Sequence, residues 1–583
     1  MPLLDSRTTG PTRLGFSDGS DVDAFIGKLG EFERGELAPD AWKAFRLVNG
    51  VYSQRQEDAM MIRVKIPQGI LTPPQLRALA AVADRYSNRK GHLTTRQNLQ
   101  FHFVKLADTD DAVRALAAAG LTTREACGNA VRNVTACPFA GASALEPFDA
   151  TPWAESVTRR LLRGPLSSSL PRKFKIAFGG CCGFDCVGAS FNDVGFLARV
   201  KDGQPGFRVT LGGGLSTLRR AGILAWEFAP AGEALEICEA VVRVFNRTGD
   251  RKRRHKARLK FVIEKLGHEA FLALVNEERE ALRLEGGRPM TLAPSPLRQP
   301  SPLRQPAPVR PRSGKPGFGE FVRTNVRDTR ESDYVNATVR VPLGDLSSAQ
   351  LRSLAAIAEE HSEEREVRTT IDQNLVLRFV RRESLASVHA ALDDIGLSRA
   401  GAGSASDVAS CPGAASCRLA VTASRGMADA ISLALDAQPD LAQAAEALSI
   451  KISGCPNGCG QHYVAGIGLQ GSVRKVAGRA VPQYHLYLGG GFGTTEAAFG
   501  RLAAKLPARR VPAAIARLLK LYGSEGRGEP IEQFLALLPG PRVEALLADL
   551  EAMDDASAVP DDFVDLGESK AFAVELQEGE CAA

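Results

Sequence analysis

The chain has 583 residues, 44% hydrophobic and 24% charged, an ordinary balance for a globular protein of about three to five domains. Its 73 basic and 67 acidic residues leave a net charge of +6, too mild an excess to name a nucleic-acid partner. No run approaches the roughly 18 apolar residues of a membrane span, and residues 1–10 carry neither a basic nor an apolar signal segment, so a cytoplasmic protein with no membrane and no nucleic-acid partner is expected.

Residues 1–50 form an extension without a readable pattern. From 51 to 120 the chain alternates as a strand (IRVKI, 62–66) and opens a helix at Thr72 and Pro73. A second strand ends at Phe103 and Val104, and a short helix over 111–119 stops at Gly120. That order predicts a small α+β sandwich. Residues 121–284 read as a larger mixed segment with a Gly-rich LGGG turn at 211–214, and 285–317 as a Pro-rich linker containing SPLRQP twice. The same elements then return at an offset of about 275 residues: 62–87 lies over 337–362, 94–104 over 370–380, VTACP (134–138) over VASCP (408–412), Lys175 and Ile176 over Lys451 and Ile452, and LGGG over its twin at 488–491. The second copy divides into 318–395 and 396–545, followed by a tail over 546–583. The chain is therefore one unit written twice.

In the second copy Cys411 and Cys417 are separated by five residues, and Cys455 and Cys459 by three within CPNGC. Any one of the eleven cysteines is most simply a buried thiol. Four thiolates on two shaped turns instead select zinc or an iron–sulfur cluster, and the five-residue gap exceeds the two-to-four of a zinc knuckle. A further ligand three places beyond Cys459 would be needed for a radical-type cluster, and that place is His462.

The two cysteine pairs with CPNGC, and the duplication over about 50–545, resemble the siroheme and [4Fe–4S] site of assimilatory sulfite and nitrite reductases, closest to the ferredoxin-dependent sulfite enzymes. The resemblance implies an α+β, internally duplicated, pseudo-twofold fold. Its parts are two ferredoxin-like half-domains (51–120 and 318–395), a siroheme and substrate domain (121–284) and a [4Fe–4S]/siroheme domain (396–545). It also implies Cys411, Cys417, Cys455 and Cys459 as cluster ligands, with Cys459 shared with the siroheme iron and Asn457 beside the macrocycle.

Copy one holds cations where copy two does not: Arg96 aligns with Asp372, Arg132 with Ser406 and Lys173 with Ser449. Lys173 and Lys175, two apart in PRKFKIAF, point to one face of an extended segment while Phe174 points to the other. Any single basic residue is most simply a solvated charge. By resemblance, Arg96, Arg132, Lys173 and Lys175 grip the substrate oxyanion, the lysines also feeding protons. Nitrite reductases of the family usually carry Asn at the position of Lys175, which favours sulfite, with nitrite as the alternative. The run 251–260 (RKRRHKARLK) suggests Arg254, Lys256, Arg258 and Lys260 as counter-charges for siroheme carboxylates, and the two LGGG turns offer backbone N–H groups for the same purpose. Tyr52 and Cys127 match the two positions of a covalent Tyr–Cys bond found in some sulfite reductases.

Cys137 aligns with Cys411, and the pair Cys182 and Cys186 resembles Cys455 and Cys459, but Ser143 stands for Cys417; this set, with Cys181, reads as a remnant or as buried thiols. No flavin or nicotinamide motif is present, so the expected electron donor is a separate ferredoxin or flavoprotein. The reading from a different class is a non-catalytic four-cysteine metalloprotein that binds RNA through its basic segments.

Overall fold

The computed structural model describes residues 15–181, 185–288, 315–493, 496–575 and 579–580. Most of the Pro-rich stretch, Cys182 and Cys581 lie outside the described residues. The N-terminal extension is not patternless in three dimensions. Asp18 caps a helix over Gly19–Glu33 by accepting from the Ser20 N–H, and a second helix spans Pro39–Val48. Val22, Phe25, Leu29 and Trp42 from these helices enter the core of the first half-domain. The helix Gly540–Glu551 likewise runs across residue 545, where sequence placed the start of a tail.

Each half-domain is a five-stranded antiparallel sheet backed by helices. The first orders Val51–Ser53, Ala59–Val64, Leu99–Lys105 and Lys90–Leu93, and the second Val326–Asp328, Tyr334–Val339, Leu375–Arg381 and Val367–Thr369. The fifth strand of each comes from the other copy: Asp345–Ser347 pairs with Lys90–Leu93, and Ile70–Leu71 with Val367–Thr369. The helices Pro73–Tyr86 and Ser348–His361, each opened by a capping box (Thr72 with Gln75, Ser347 with Gln350), pack Leu76, Leu79, Leu351 and Leu354 into one continuous core. Burying each such leucine contributes about 1.5–3 kcal/mol.

The two larger domains are mixed sheets of the same topology. In copy one Thr135–Ala136, Ile176–Gly179 and Val194–Lys201 run parallel, and Gln204–Leu211 and Ile223–Pro230 continue antiparallel. In copy two the sequence is Ala409–Ser410, Ile450–Ser453, Ile467–Val476, Arg479–Leu488 and Arg501–Pro507. Cysteines therefore follow the carboxyl ends of parallel strands in both copies, the edge where open α/β sheets bind ligands. Two glutamines in left-handed turns bind half-domain to large domain. Gln97 (φ 54) accepts from Ala136 N–H and donates to Thr369 O, and Gln373 (φ 66) accepts from Ser410 N–H and donates to Leu93 O. Cys137 and Cys411, one residue further on, are thereby fixed in place. Among the described residues no helix is long and apolar enough to cross a membrane.

Candidate active site

A cavity of about 880 Å³ opens between the copies. One wall is the two cysteine turns of copy two, held by copy one: Thr95 donates to Cys459 O (2.8 Å), Gln461 to Thr95 O (3.1 Å), Arg55 to Ala420 O (2.6 Å) and Arg418 to Gln54 O (2.6 Å). Cys411, Cys417, Cys455 and Cys459 all line the cavity, as does Asn457. The CPNGC turn needs its glycines. Gly458 sits at φ 69, and a Cβ on Gly460 would stand 1.9 Å from Ile452 O. Burial, with Cys459, Cys411 and Cys417 close by, raises the Cys455 thiol, so four soft donors converge where a cation would relieve them.

The opposite wall is cationic. Phe174 is fully buried, while Lys173 and Lys175 on either side of it line the cavity. Arg96 donates to Asn192 Oδ1 (2.8 Å) and Asn133 O (2.6 Å), and Arg132 to the carbonyls of Gly128 (2.8 Å) and Ala126 (3.0 Å), so both guanidiniums are braced by neutral acceptors. Burial pulls Arg96 down to about 9, which still leaves it charged at neutral pH. Burial, and then Arg258, Arg96 and Lys173 nearby, hold the Lys175 ammonium well below the ordinary lysine range. Copy two has neutralised the same spot: Lys451, the counterpart of Lys175, pairs at 2.7 Å with Asp372, the counterpart of Arg96. Ten Lys and Arg side chains line the cavity against one carboxylate, Glu580, among the described residues.

The basic run 251–260 divides. Arg258, paired with Asp193 at 2.9 Å, and Lys260, donating to Leu215 O at 2.9 Å, turn inward, and Arg254 reaches the cavity rim. Burial, then Arg258, lowers Lys260 to about 7. Lys256 does not join them; it is exposed on the outer side of the short turn Arg254–Lys256 and is absent from the lining. The LGGG turns also depart from expectation. Gly212 and Gly214 donate to Asp193 O and Arg220 O, and Gly489 and Gly490 to Gly466 O and Ala465 O, so these amides serve the turns themselves.

Tyr52 and Cys127 pack together in a buried cluster with Leu47 and Met61, and the Tyr52 hydroxyl accepts from Gly128 N–H at 3.3 Å. Several lining residues had no sequence signal beyond proximity to one that did, such as Arg172 beside Lys173 and Arg418 beside Cys417. Glu580 had none. It reaches back from the C-terminal region to bond Arg46, Ser53 N–H (2.8 Å) and the Ser53 hydroxyl at the cavity edge. Of the copy-one cysteines, Cys182 lies outside the described residues, and Cys137, Cys181 and Cys186 come together.

Comparison with known proteins bears on all of this. The chain matches the Nitrite and sulphite reductase 4Fe-4S domain over 127–283 and 402–533, and the Nitrite/Sulfite reductase ferredoxin-like half domain over 52–119 and 327–395. It is 32% identical over 443 residues to a ferredoxin–nitrite reductase of Synechococcus elongatus, covering 74% of this chain and 80% of that one. It is 30% identical over 447 residues to a sulfite reductase [ferredoxin] of Mycobacterium tuberculosis, covering 76% and 75%. The solved structure of the Mycobacterium tuberculosis NirA protein superposes with a TM-score of 0.75 at 25% identity, over 90% of this chain and 97% of that one.

Proposed function

Since the chain belongs to the nitrite and sulfite reductase family, whose cofactors are siroheme and a [4Fe–4S] cluster, we propose that it reduces sulfite to sulfide by six electrons, with ferredoxin as the donor. The residues fit both groups. Four convergent thiols suit a cluster, and a cavity with ten cations to one carboxylate suits a macrocycle carrying eight carboxylates. Buried Nε atoms of Arg96 and Arg258 and the Ser410 hydroxyl, all at the cavity wall, have no hydrogen-bond partner among the described residues. Cys411, Cys417, Cys455 and Cys459 would hold the cluster, and Cys459 would also hold the siroheme. Arg258, Lys260 and Arg254 would offset its carboxylates, beside Asn457. When bound, siroheme supplies an iron for the substrate's sulfur and the cluster an electron store next to it.

The side chains of copy one then do three things. Arg96 and Arg132, braced from behind, present fixed positive charge to oxygen atoms without reorganising, which is the efficient way to stabilise developing negative charge in a cavity shielded from water. Lys173 and Lys175 add charge and can give protons, Lys175 readily because burial, and then its cationic neighbours, weaken its hold on one. An anion arriving in the cavity reverses that weakening, so protonation and substrate binding reinforce each other. The domain division at 51–120, 121–284, 318–395 and 396–545, with terminal extensions and a linker over 285–317, is part of the same proposal.

The single observation favouring sulfite is Lys175, which lines the cavity together with Arg96, Arg132 and Lys173. A dianion gains more from it than a monoanion. The nitrite reading rests on the similarity to the Synechococcus elongatus enzyme. Steady-state kcat/KM values for sulfite and nitrite with reduced ferredoxin separate them: a higher value for sulfite is expected, and a higher one for nitrite reverses the assignment.

A further inference from the structure

The cluster site has a pseudo-twofold counterpart in copy one, and its side chains have not decayed into scattered thiols. Cys137 follows the strand Thr135–Ala136, Cys181 follows Ile176–Gly179, and Cys186 precedes the short turn Ala189–Phe191, as Cys411, Cys455 and Cys459 stand relative to the matching elements of copy two. The three sulfurs lie within 4.8 Å of one another. Cys137 Sγ is 3.8 Å from Cys181 Sγ, and Cys181 Sγ is 3.6 Å from the Ser143 hydroxyl, which occupies the position of Cys417.

These spacings separate a single ion from a cluster. A tetrahedral ion with bonds of about 2.3 Å to sulfur and about 2.1 Å to oxygen sets neighbouring sulfurs roughly 3.8 Å apart and sulfur to oxygen roughly 3.6 Å apart. A four-iron cube interposes its own atoms between its ligands and spreads them wider. Among the described residues, no three of Cys411, Cys417, Cys455 and Cys459 approach as closely as the copy-one triad does. The set is also built rather than accidental. The buried Asp185 carboxylate accepts from the N–H groups of Val187, Ala189 and Ser190, fixing the turn that carries Cys186, and Gln97 fixes the residue before Cys137. Cys137 and Cys181 are buried among Phe139, Ala140, Val187 and Val376, and Arg327 stands near Cys181 to balance excess thiolate charge.

We propose that Cys137, Cys181 and Cys186, with the Ser143 hydroxyl as fourth ligand, bind a single zinc ion. Binding releases the three thiol protons to solvent and involves no electron transfer. The ion ties the 137–146 loop to the turn around 186 against the second half-domain, a closed structural site distinct from the cavity.

Metal analysis of the holoenzyme, purified without chelator from zinc-supplemented cells, is expected to give about one zinc beside about five irons per chain, the irons from one siroheme and one cluster. Zinc absorption fine structure is expected to show three sulfurs and one lighter atom at about 2.3 and 2.1 Å. Cys181→Ser and Cys137→Ser should lower zinc at least tenfold while iron and the siroheme band stay, whereas Cys238→Ser leaves zinc unchanged. Should those variants not fold, cobalt loading of the unaltered protein reads the ligands directly, through a thiolate-to-cobalt charge-transfer band. Absence of zinc, copper in its place, an iron count near nine, or a Cys137–Cys181 disulfide mapped in a non-reduced digest each overturns the proposal.

Discussion

Replacing Lys175 by Asn tests the assignment of substrate most sharply. The ammonium lines the cavity from copy one beside Lys173, Arg96 and Arg132, and a charge-assisted hydrogen bond to an oxyanion contributes about 1.5–3 kcal/mol. A unit charge pair about 4 Å apart at an effective dielectric of about 20 sets an upper bound near 4 kcal/mol. Crowding by Arg258, Arg96 and Lys173 means that some of this gain goes into keeping the proton on Lys175, so about 2 kcal/mol is the working figure for a dianion and about 1 for a monoanion. Lys175→Asn should therefore lower kcat/KM about 30-fold for sulfite and about 5-fold for nitrite, shifting selectivity roughly 6-fold toward nitrite. Only the protonated lysine helps. Because its pKa is depressed, kcat/KM for sulfite should fall as pH rises through that lowered value, and the variant should lose this alkaline limb. Sulfide and ammonia production by both proteins across pH measures all of it. Equal losses for the two anions, or an unchanged alkaline limb, would refute the electrostatic argument.

Cys459→Ser should remove the cluster and siroheme absorption together and take iron from about five per chain to near zero; retention of the siroheme band at full intensity would deny that the thiolate is shared. The Tyr52 and Cys127 side chains should yield one linked peptide and an intact mass about 2 Da below the sequence value, and two separable peptides would end that expectation. Glu580→Gln should destabilise the protein by about 3–5 kcal/mol in thermal or denaturant unfolding, because Arg46 is left buried without its counter-charge. Burial acts to raise the Glu580 carboxyl, but Arg46 and Ser53 outweigh it and lower it overall. Its contribution is thus present above the ordinary carboxylate pKa of about 4.3 and lost as pH falls through the lowered value, so wild type and variant should converge in stability at acid pH.

What the sequence disclosed followed from repetition and from local chemistry. The duplicated TTRQN and TIDQN turns, the CPNGC turn and the alternation around Phe174 each depend on residues close in the chain, and each stands in space where its pattern placed it. Three other features depend on contacts that no local pattern carries. Lys256 and Arg258 belong to one basic run, yet Lys256, at the end of the short turn Arg254–Lys256, is exposed while Arg258 pairs with Asp193. Cys137, Cys181 and Cys186 meet although 44 residues separate the first two, because the ends of the strands Thr135–Ala136 and Ile176–Gly179 lie side by side. Glu580 meets Arg46 across 534 positions, a separation at which sequence spacing says nothing.

The borrowed fifth strands have a developmental meaning. A ribosome that has released only the first copy holds a sheet lacking its edge and a core lacking half its leucines, so final assembly must wait for residues 345–347 and the helix after them. Cutting the chain within the Pro-rich connection should give two fragments that are aggregation-prone apart and mutually rescuing when mixed. A single-copy ancestor of this architecture could have stood only as a pair of identical subunits, each lending the other an edge, and joining the two coding units freed one half to specialise in anions and the other in electrons.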